Sequence, residues 1–357
     1  MAIEKIQIEH FVQLGKKIPI LDVRSPAEYD HAHIPGAHNI PLFTNDERKI
    51  VGTAYKQQGR EMAIKIGLDF FGPKMRAIVE KVEEVVASTI PATRQVLIHC
   101  WRGGMRSSAI AWLLDLYGFK VYTLQNGYKS YRHWVIDSFS HPFSLHVIGG
   151  YTGSGKTHIL HALKNKGAAV IDLEALACHK GSAFGNIGMP AQPSQEMFEN
   201  LLGSELRKLM LNSNNVSGFP VWVEDESQRI GPVNVPTGFW HTMQRSPLYF
   251  INLSFDQRLN EIVKEYGSLN RDKIADAIMR LKKRLGGLET KTALMHLESG
   301  ELEACFSVLL RYYDKAYRKA LDKRQAQQLV KTIDFDSVNA IFNAEQLTTK
   351  EIQYNGE

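Results

Sequence analysis

Cysteine is scarce. Cys100, Cys178 and Cys305 are the only three in 357 residues, too few and too widely spaced for a disulfide framework or a zinc site. A thiol with a special role is therefore chemical rather than structural. No apolar run approaches the roughly 20 residues of a membrane span, and the start MAIEKIQIEHF has neither the basic nor the apolar region of a signal peptide. The expectation is a cytoplasmic chain with no membrane partner. Internal repeats and low-complexity segments are also missing. Charge of one sign is in small excess, net +5, yet residues 271 to 331 hold fourteen Lys/Arg against eight Asp/Glu. A solvated helical face and a polyanion-binding surface both explain that concentration.

What is present is ordinary for a globular protein: 44% hydrophobic and 23% charged residues. The length suits two domains, and SFSHPFS at 138–144, short, polar and Pro-containing between two apolar strands, reads as the linker. The expected domains are 1–140 and 141–357. Before the linker the pattern predicts strands at 18–23, 95–99 and 121–124 and helices at 75–87 and about 106–117. After it come strands at 145–148, 168–173, 221–224 and 248–253, a helix from 156, and further helices to about 324. Alternation of strand and helix makes both halves α/β with mainly parallel sheets, the second with a helical C-terminal part.

The first chemical feature is LIHCWRGGMRSSA, 97–109. LIHC reads as a buried strand, so Cys100 falls at a carboxyl end, where α/β sheets place ligands. Gly103 and Gly104 allow the chain to turn with its N–H groups pointing at one centre, and the helix N-terminus that follows completes an anion cradle around the sulfur. Such a field favours thiolate over thiol and makes Cys100 a nucleophile. Arg102 and Arg106 are candidate donors to an oxyanion. Trp101 is placed either to stack on a ligand or to pack. His99 reads as a core histidine beneath the loop, and Cys178 and Cys305 as packing residues.

The second is VIGGYTGSGKTHIL, in which Gly150-x4-Gly155-Lys156-Thr157 lies between a strand and a helix, the setting a P-loop requires. Backbone amides around Gly153, Ser154 and Gly155 would cradle a diphosphate, Lys156 would reach its outer oxygens, and Thr157 would hold Mg²⁺. VWVEDES ends in Glu224, Asp225 and Glu226, as a strand with an acidic metal-side terminus does, and Asp172 is a weaker candidate at the same edge. Arg271, Arg280, Lys282, Lys283 and Arg284 gather in a predicted helical region, suited to the phosphates of a polyanion or to a lid over the P-loop.

LDVRSPAEYDHAHIPGAHNIPL (21–42) and VYTLQNGYKSYRHW (121–134) resemble rhodanese domains, with Cys100 at the position of their sulfur-carrying cysteine. The five residues between Cys100 and Arg106 also match cysteine phosphatases built on that fold. With the P-loop half, NDERKIVGTAYKQQGREMAIKIG (45–67), LEALACHKGSAFGNIG (173–188), EDESQRIG (224–231) and RLGG (284–287), the chain resembles the bacterial tRNA 2-selenouridine synthases over roughly residues 10–320.

That resemblance implies a transferase that replaces sulfur by selenium in wobble 2-thiouridine of tRNA, by way of an S-geranyl intermediate, from selenophosphate and geranyl diphosphate. It also implies a selenyl-cysteine on Cys100 and contact with the enzyme that makes selenophosphate. No tightly bound cofactor is expected. Gly150–Thr157 would then bind the geranyl diphosphate, with ATP or GTP as the other reading. A cysteine phosphatase and a nucleotide-dependent RNA-binding module remain the alternatives for the whole chain.

Overall fold

The computed structural model describes residues 3–89, 94–212, 220–325 and 330–354. It divides into two units, Met1–Ser138 with Glu199–Ser204, and Phe139–Phe198 with Glu205–Glu357.

The sheet of the first unit is built from β1 (Glu4–Ile6), β2 (Ile20–Asp22), β3 (His38–Asn39), β4 (Gln95–His99) and β5 (Lys120–Leu124), in the order β1-β5-β4-β2-β3. Every pairing is parallel. Strands buried on both faces need continuous apolar runs, and Val96, Leu97 and Ile98 of the central β4 are wholly buried. Ile98 and Val96 pack with Ile110, Leu114, Phe119 and Val82 from the covering elements. The register sets Asp22 opposite His99 at the carboxyl end, so whatever follows β4 sits over a buried charged floor. The 45–67 stretch forms two helices, Asn45–Gln57 and Arg60–Phe71, joined through Gly59 at φ +89°. Thr44 and Glu47 cap the first of them reciprocally.

The second unit has β6 (Leu145–Gly150), β7 (Val170–Ile171), β8 (Val221–Glu224), a small antiparallel ribbon of β9 (Arg229–Ile230) and β10 (Val233–Asn234), then β11 (Leu248–Asn252) and β12 (Val330–Asp334). The large sheet runs β12-β11-β6-β8-β7, all parallel, with β6 in the centre. Helices Phe255–Tyr266, Arg271–Leu285, Gly287–Glu298 and Leu302–Gln325 form the helical part. They close around Ile274, Ile278, Leu281, Phe306 and Leu309. Cys305 lies in that core, where burial pushes its thiol up to about 11; it packs, as expected.

The short strands β1, β3, β9 and β10 were not expected, and the second unit departs from expectation in two further places. β7 is two residues long rather than six, because Asp172 leaves the strand to cap the Leu173–Ala177 helix through the Ala175 N–H at 2.8 Å. The fold also continues past 325, with β12 completing the sheet and a helix at Ala340–Tyr354. Among the described residues no helix is long and apolar enough to cross a membrane.

Candidate functional sites at two strand ends

Cys100 is the first residue after β4, and the chain then crosses Trp101–Gly104 to the Met105–Leu116 helix. Gly103 alone of the two adjacent glycines takes a left-handed conformation, φ +61°; Gly104 is at φ −109°. The loop is pinned from below by the 126–129 turn. Tyr128 and Lys129 donate backbone N–H groups to the carbonyls of Cys100 and Trp101 at 2.8 and 3.0 Å. A Cβ on Gly127, φ +60°, would lie 2.3 Å from the Cys100 carbonyl oxygen, so glycine is required there.

The thiol is buried. Gly104 N–H donates to Sγ at 3.4 Å, and Ser107 Oγ lies 3.2 Å from Sγ and 2.9 Å from the Gly104 carbonyl. Burial alone would raise the thiol, yet the Ser107 and Gly104 donors and the Arg106 charge bring it below its ordinary value. The arrangement therefore favours the nucleophilic form.

The two loop arginines are not equivalent. Arg106 is held by Glu28 through Nη1–Oε2 at 2.7 Å and Nη2–Oε1 at 3.3 Å, and Glu28 also receives the Ser25 N–H at the start of Pro26–His31. Its guanidinium acts on the sulfur through its charge, from a fixed position, whereas Arg102 is exposed. Trp101, 38% exposed, rests its ring 5.6 Å from that of Tyr128, and the Arg24 guanidinium stands 3.9 Å from the Tyr128 centroid.

Asp22, Arg24, Glu28, Ser107 and Tyr128 were not singled out from sequence, although all lie within the quoted segments. Arg24 and Asp22 form a buried pair, Nη2–Oδ2 2.6 Å. Burial opposes ionisation of Asp22, and its carboxyl is nonetheless held below the usual range. His99 is wholly buried with neither ring nitrogen hydrogen-bonded, and burial lowers it to about 4. His99 Nε2 stands 3.7 Å from Asp22 Oδ2, and its charge in the acidic range, together with the bonds from Arg24, holds the carboxyl down.

A pH effect follows from His99. Between about 4 and the ordinary histidine value near 6.5 the unfolded chain binds a proton that the folded unit refuses, so stability rises with pH across that window. Denaturant unfolding of the first unit should show this slope, and His99→Gln should flatten it.

In the second unit Gly150, Gly153 and Gly155, at φ +151°, +82° and +75°, shape the turn from β6 into the Lys156–Asn165 helix. A Cβ on Gly153 would meet the Arg258 carbonyl oxygen at 2.7 Å. Lys156 Nζ bonds the Gly150 carbonyl at 2.9 Å. Thr157 donates to Glu174 Oε2 at 3.0 Å, and Glu174 N–H donates to Glu224 Oε1 at 2.7 Å.

Glu226 belongs to the same group: burial and the nearby Glu174 push it up to about 8. Burial likewise raises Glu224 and Glu174. Three carboxyls beside one lysine, Glu224 buried and Glu174 and Glu226 half-buried, cannot all ionise unless more positive charge arrives. Glu224 Oε2 and Ser154 Oγ are buried without a partner among the described residues, so oxygen donors are available to a hard cation. Among the described residues no three His, Cys, Asp or Glu side chains form a ready-made metal set.

The remaining acidic candidates point elsewhere. Asp225, on the opposite side of the strand end from its neighbours, accepts from Tyr317 OH at 2.5 Å and faces Arg324 at 3.1 Å. Tyr317 OH also accepts from Gly150 N–H at 3.3 Å. Asp172 caps its helix and meets His161 Nε2 at 2.6 Å. In the second unit Glu174, Arg258 and Tyr317 are residues that sequence reasoning missed. Arg258 is paired bidentately with Asp314 at 2.8 and 2.7 Å and donates to the Thr152 carbonyl at 3.2 Å, bracing the P-loop.

Arg271, Arg280, Lys282, Lys283 and Arg284 are all exposed on the Arg271–Leu285 helix. Arg280 is tied to the Ala183 carbonyl at 3.0 Å; the helix buries Ile274, Ala277, Ile278, Leu281 and Leu285 on its other face.

Fold and loops together define a rhodanese-like domain carrying a loop thiol, followed by a P-loop α/β domain. Known families match both halves: the rhodanese-like domain over residues 9–133 and the tRNA 2-selenouridine synthase AAA domain over residues 143–349. The chain is 32% identical to the tRNA 2-selenouridine synthase of Bdellovibrio bacteriovorus, across 94% of its own length and 98% of that protein. It is 34% identical to that of Nitrosomonas europaea, across 88% and 91%. It belongs to the tRNA 2-selenouridine synthase family.

Proposed function

We propose that this chain acts as its family is named, as a transferase that installs selenium in 2-thiouridine of tRNA, with selenophosphate and geranyl diphosphate as the small substrates. The observation that carries the reading is the Cys100 loop: a thiol held low in pKa by Ser107, Gly104 N–H and Arg106, on a turn able to hold the phosphate end of a selenium donor. Attack of the thiolate on selenium forms an S–Se bond as Se–P breaks. The bonding pair leaves with phosphorus, so phosphite is the co-product of direct attack at selenium. Delivery of the donor by the enzyme that makes selenophosphate belongs to the same reading.

The P-loop is assigned to geranyl diphosphate. The thiocarbonyl sulfur of the uridine attacks the allylic carbon, the C–O bond breaks and pyrophosphate departs. Lys156 and the loop amides stabilise the charge that grows on the departing oxygens. Mg²⁺ suits the residues present: Thr157, Glu224 and Glu174 would hold it, and it would supply charge neutralisation at pyrophosphate. Arg271, Lys282, Lys283 and Arg284 would meet tRNA phosphates, while Arg280 anchors the neighbouring loop.

The test is mass spectrometry of nucleosides from 2-thiouridine tRNA incubated with the protein, Mg²⁺, selenophosphate and geranyl diphosphate. S-geranyl-2-thiouridine followed by 2-selenouridine is the expected sequence. Selenouridine formed equally well without geranyl diphosphate would remove the prenyl step.

A further inference from the structure

The Leu302–Gln325 helix carries charge that neither loop uses. Its exposed Arg311, Lys315 and Lys319 follow each other at intervals of four, and Arg318 sits beside them. Like charges one turn apart disfavour a helix, and no ion pair within the second unit relieves these among the described residues. Asp314, the nearest acid on the same helix, is committed to Arg258.

Two grooves flank this ridge. The first, about 640 Å³, sets five bases against Asp314 and Asp322. The second, about 820 Å³, sets Arg284, Arg311, Lys315 and Lys319 against Glu289. Arg311, Lys315 and Lys319 line both, so the ridge presents positive charge to either side. The first groove also holds two rings: Tyr151 of the P-loop, with the Arg258 guanidinium 4.9 Å from its centroid, and Phe255, with Arg311 at 5.5 Å.

We infer that this ridge is the main RNA-binding track of the second unit: Arg311, Lys315, Arg318 and Lys319 take backbone phosphates of tRNA, and an unstacked base lies against Tyr151 and Phe255 beside the P-loop. A run of cations at helical spacing fits a chain of phosphates, and the rings supply the sequence-tolerant stacking that single strands use. Arg284 extends the track to the helix already assigned to tRNA. The inference rests on the tRNA reading above and adds where the strand runs.

The experiment is binding of fluorescently labelled tRNA to the full-length protein across a salt series. Lys315→Gln with Lys319→Gln should weaken binding about tenfold and lower the slope of log K against log salt by about 1.5, at roughly 0.7–0.9 per phosphate contact. Phe255→Leu should weaken binding with the slope unchanged, since stacking releases no counterions. Circular dichroism and the denaturant midpoint report whether each variant keeps its fold. Wild-type affinity and slope in the folded double variant would overturn the track while leaving the tRNA reading intact. Absence of tRNA binding by the wild type at low salt would overturn that reading itself.

Discussion

Cys100→Ala should abolish selenium incorporation while geranylation continues, so that S-geranyl-2-thiouridine accumulates in the tRNA. The residue is a single buried thiol at a strand end, and its removal takes away the nucleophile without disturbing the strand beneath it: Val96, Leu97 and Ile98 keep their packing. The loop is held by main-chain bonds from Tyr128 and Lys129 that do not use the sulfur. The fold and tRNA affinity should therefore survive. Selenouridine formed by the variant at a near wild-type rate would end the carrier role. Phosphorus NMR sharpens the test, because direct attack on selenium releases phosphite in step with the S–Se adduct. Orthophosphate as the only phosphorus product would mean that selenium reaches the nucleoside without residing on sulfur.

The complementary result concerns Lys156. Its ammonium is held over the P-loop by the Gly150 carbonyl and faces Glu174 and Glu226. Lys156→Ala removes the charge that matters most as pyrophosphate departs, and geranylation should slow by about a hundredfold or more, the scale of one lost electrostatic contact to a transition state. Selenation of tRNA that already carries the geranyl group should be unaffected. Each variant is given 2-thiouridine tRNA and pre-geranylated tRNA, and the nucleosides are weighed. Normal geranylation by Lys156→Ala, with a defect confined to reactions supplemented with ATP or GTP, would transfer the P-loop to a nucleotide.

Much of the architecture could be read from the chain because parallel strands announce themselves. VLIH and LHVIGG are continuous apolar runs covered on both faces, and the Met75–Ala87 helix repeats its apolar positions at helical spacing. β1 and β12 escaped because edge strands carry polar residues: EKI has three residues, and VKTID breaks its apolar positions with Lys331 and Thr332. Both loop motifs lie where strand-then-glycine patterns put them. What sequence could not yield were the partners. Arg106 looked like a free oxyanion donor until Glu28, 78 positions earlier, was found holding it. Asp225 looked equivalent to Glu224 and Glu226, yet the pleat turns it to Tyr317, 92 positions later. Arg258 bears no motif at all; only its pairing with Asp314 across 56 positions gives it a place behind the P-loop. Long-range pairing is set by packing, and periodicity carries no trace of it.

The sealed histidine decides which cargo the thiol can pass on. Asp22 and Glu28 are both held in their ionised forms near neutral pH, and His99 is neutral there with both ring nitrogens buried. None of these three can hand a proton to a departing group near neutral pH. An alkoxide expelled from a phosphoester is a poor leaving group unless an acid protonates it as the bond breaks. Groups that leave as weakly basic anions, such as a thiolate or selenide, need no such help. The loop thus discriminates by the basicity of what departs, and this weighs against phosphoester hydrolysis even though the spacing from Cys100 to Arg106 would accommodate it.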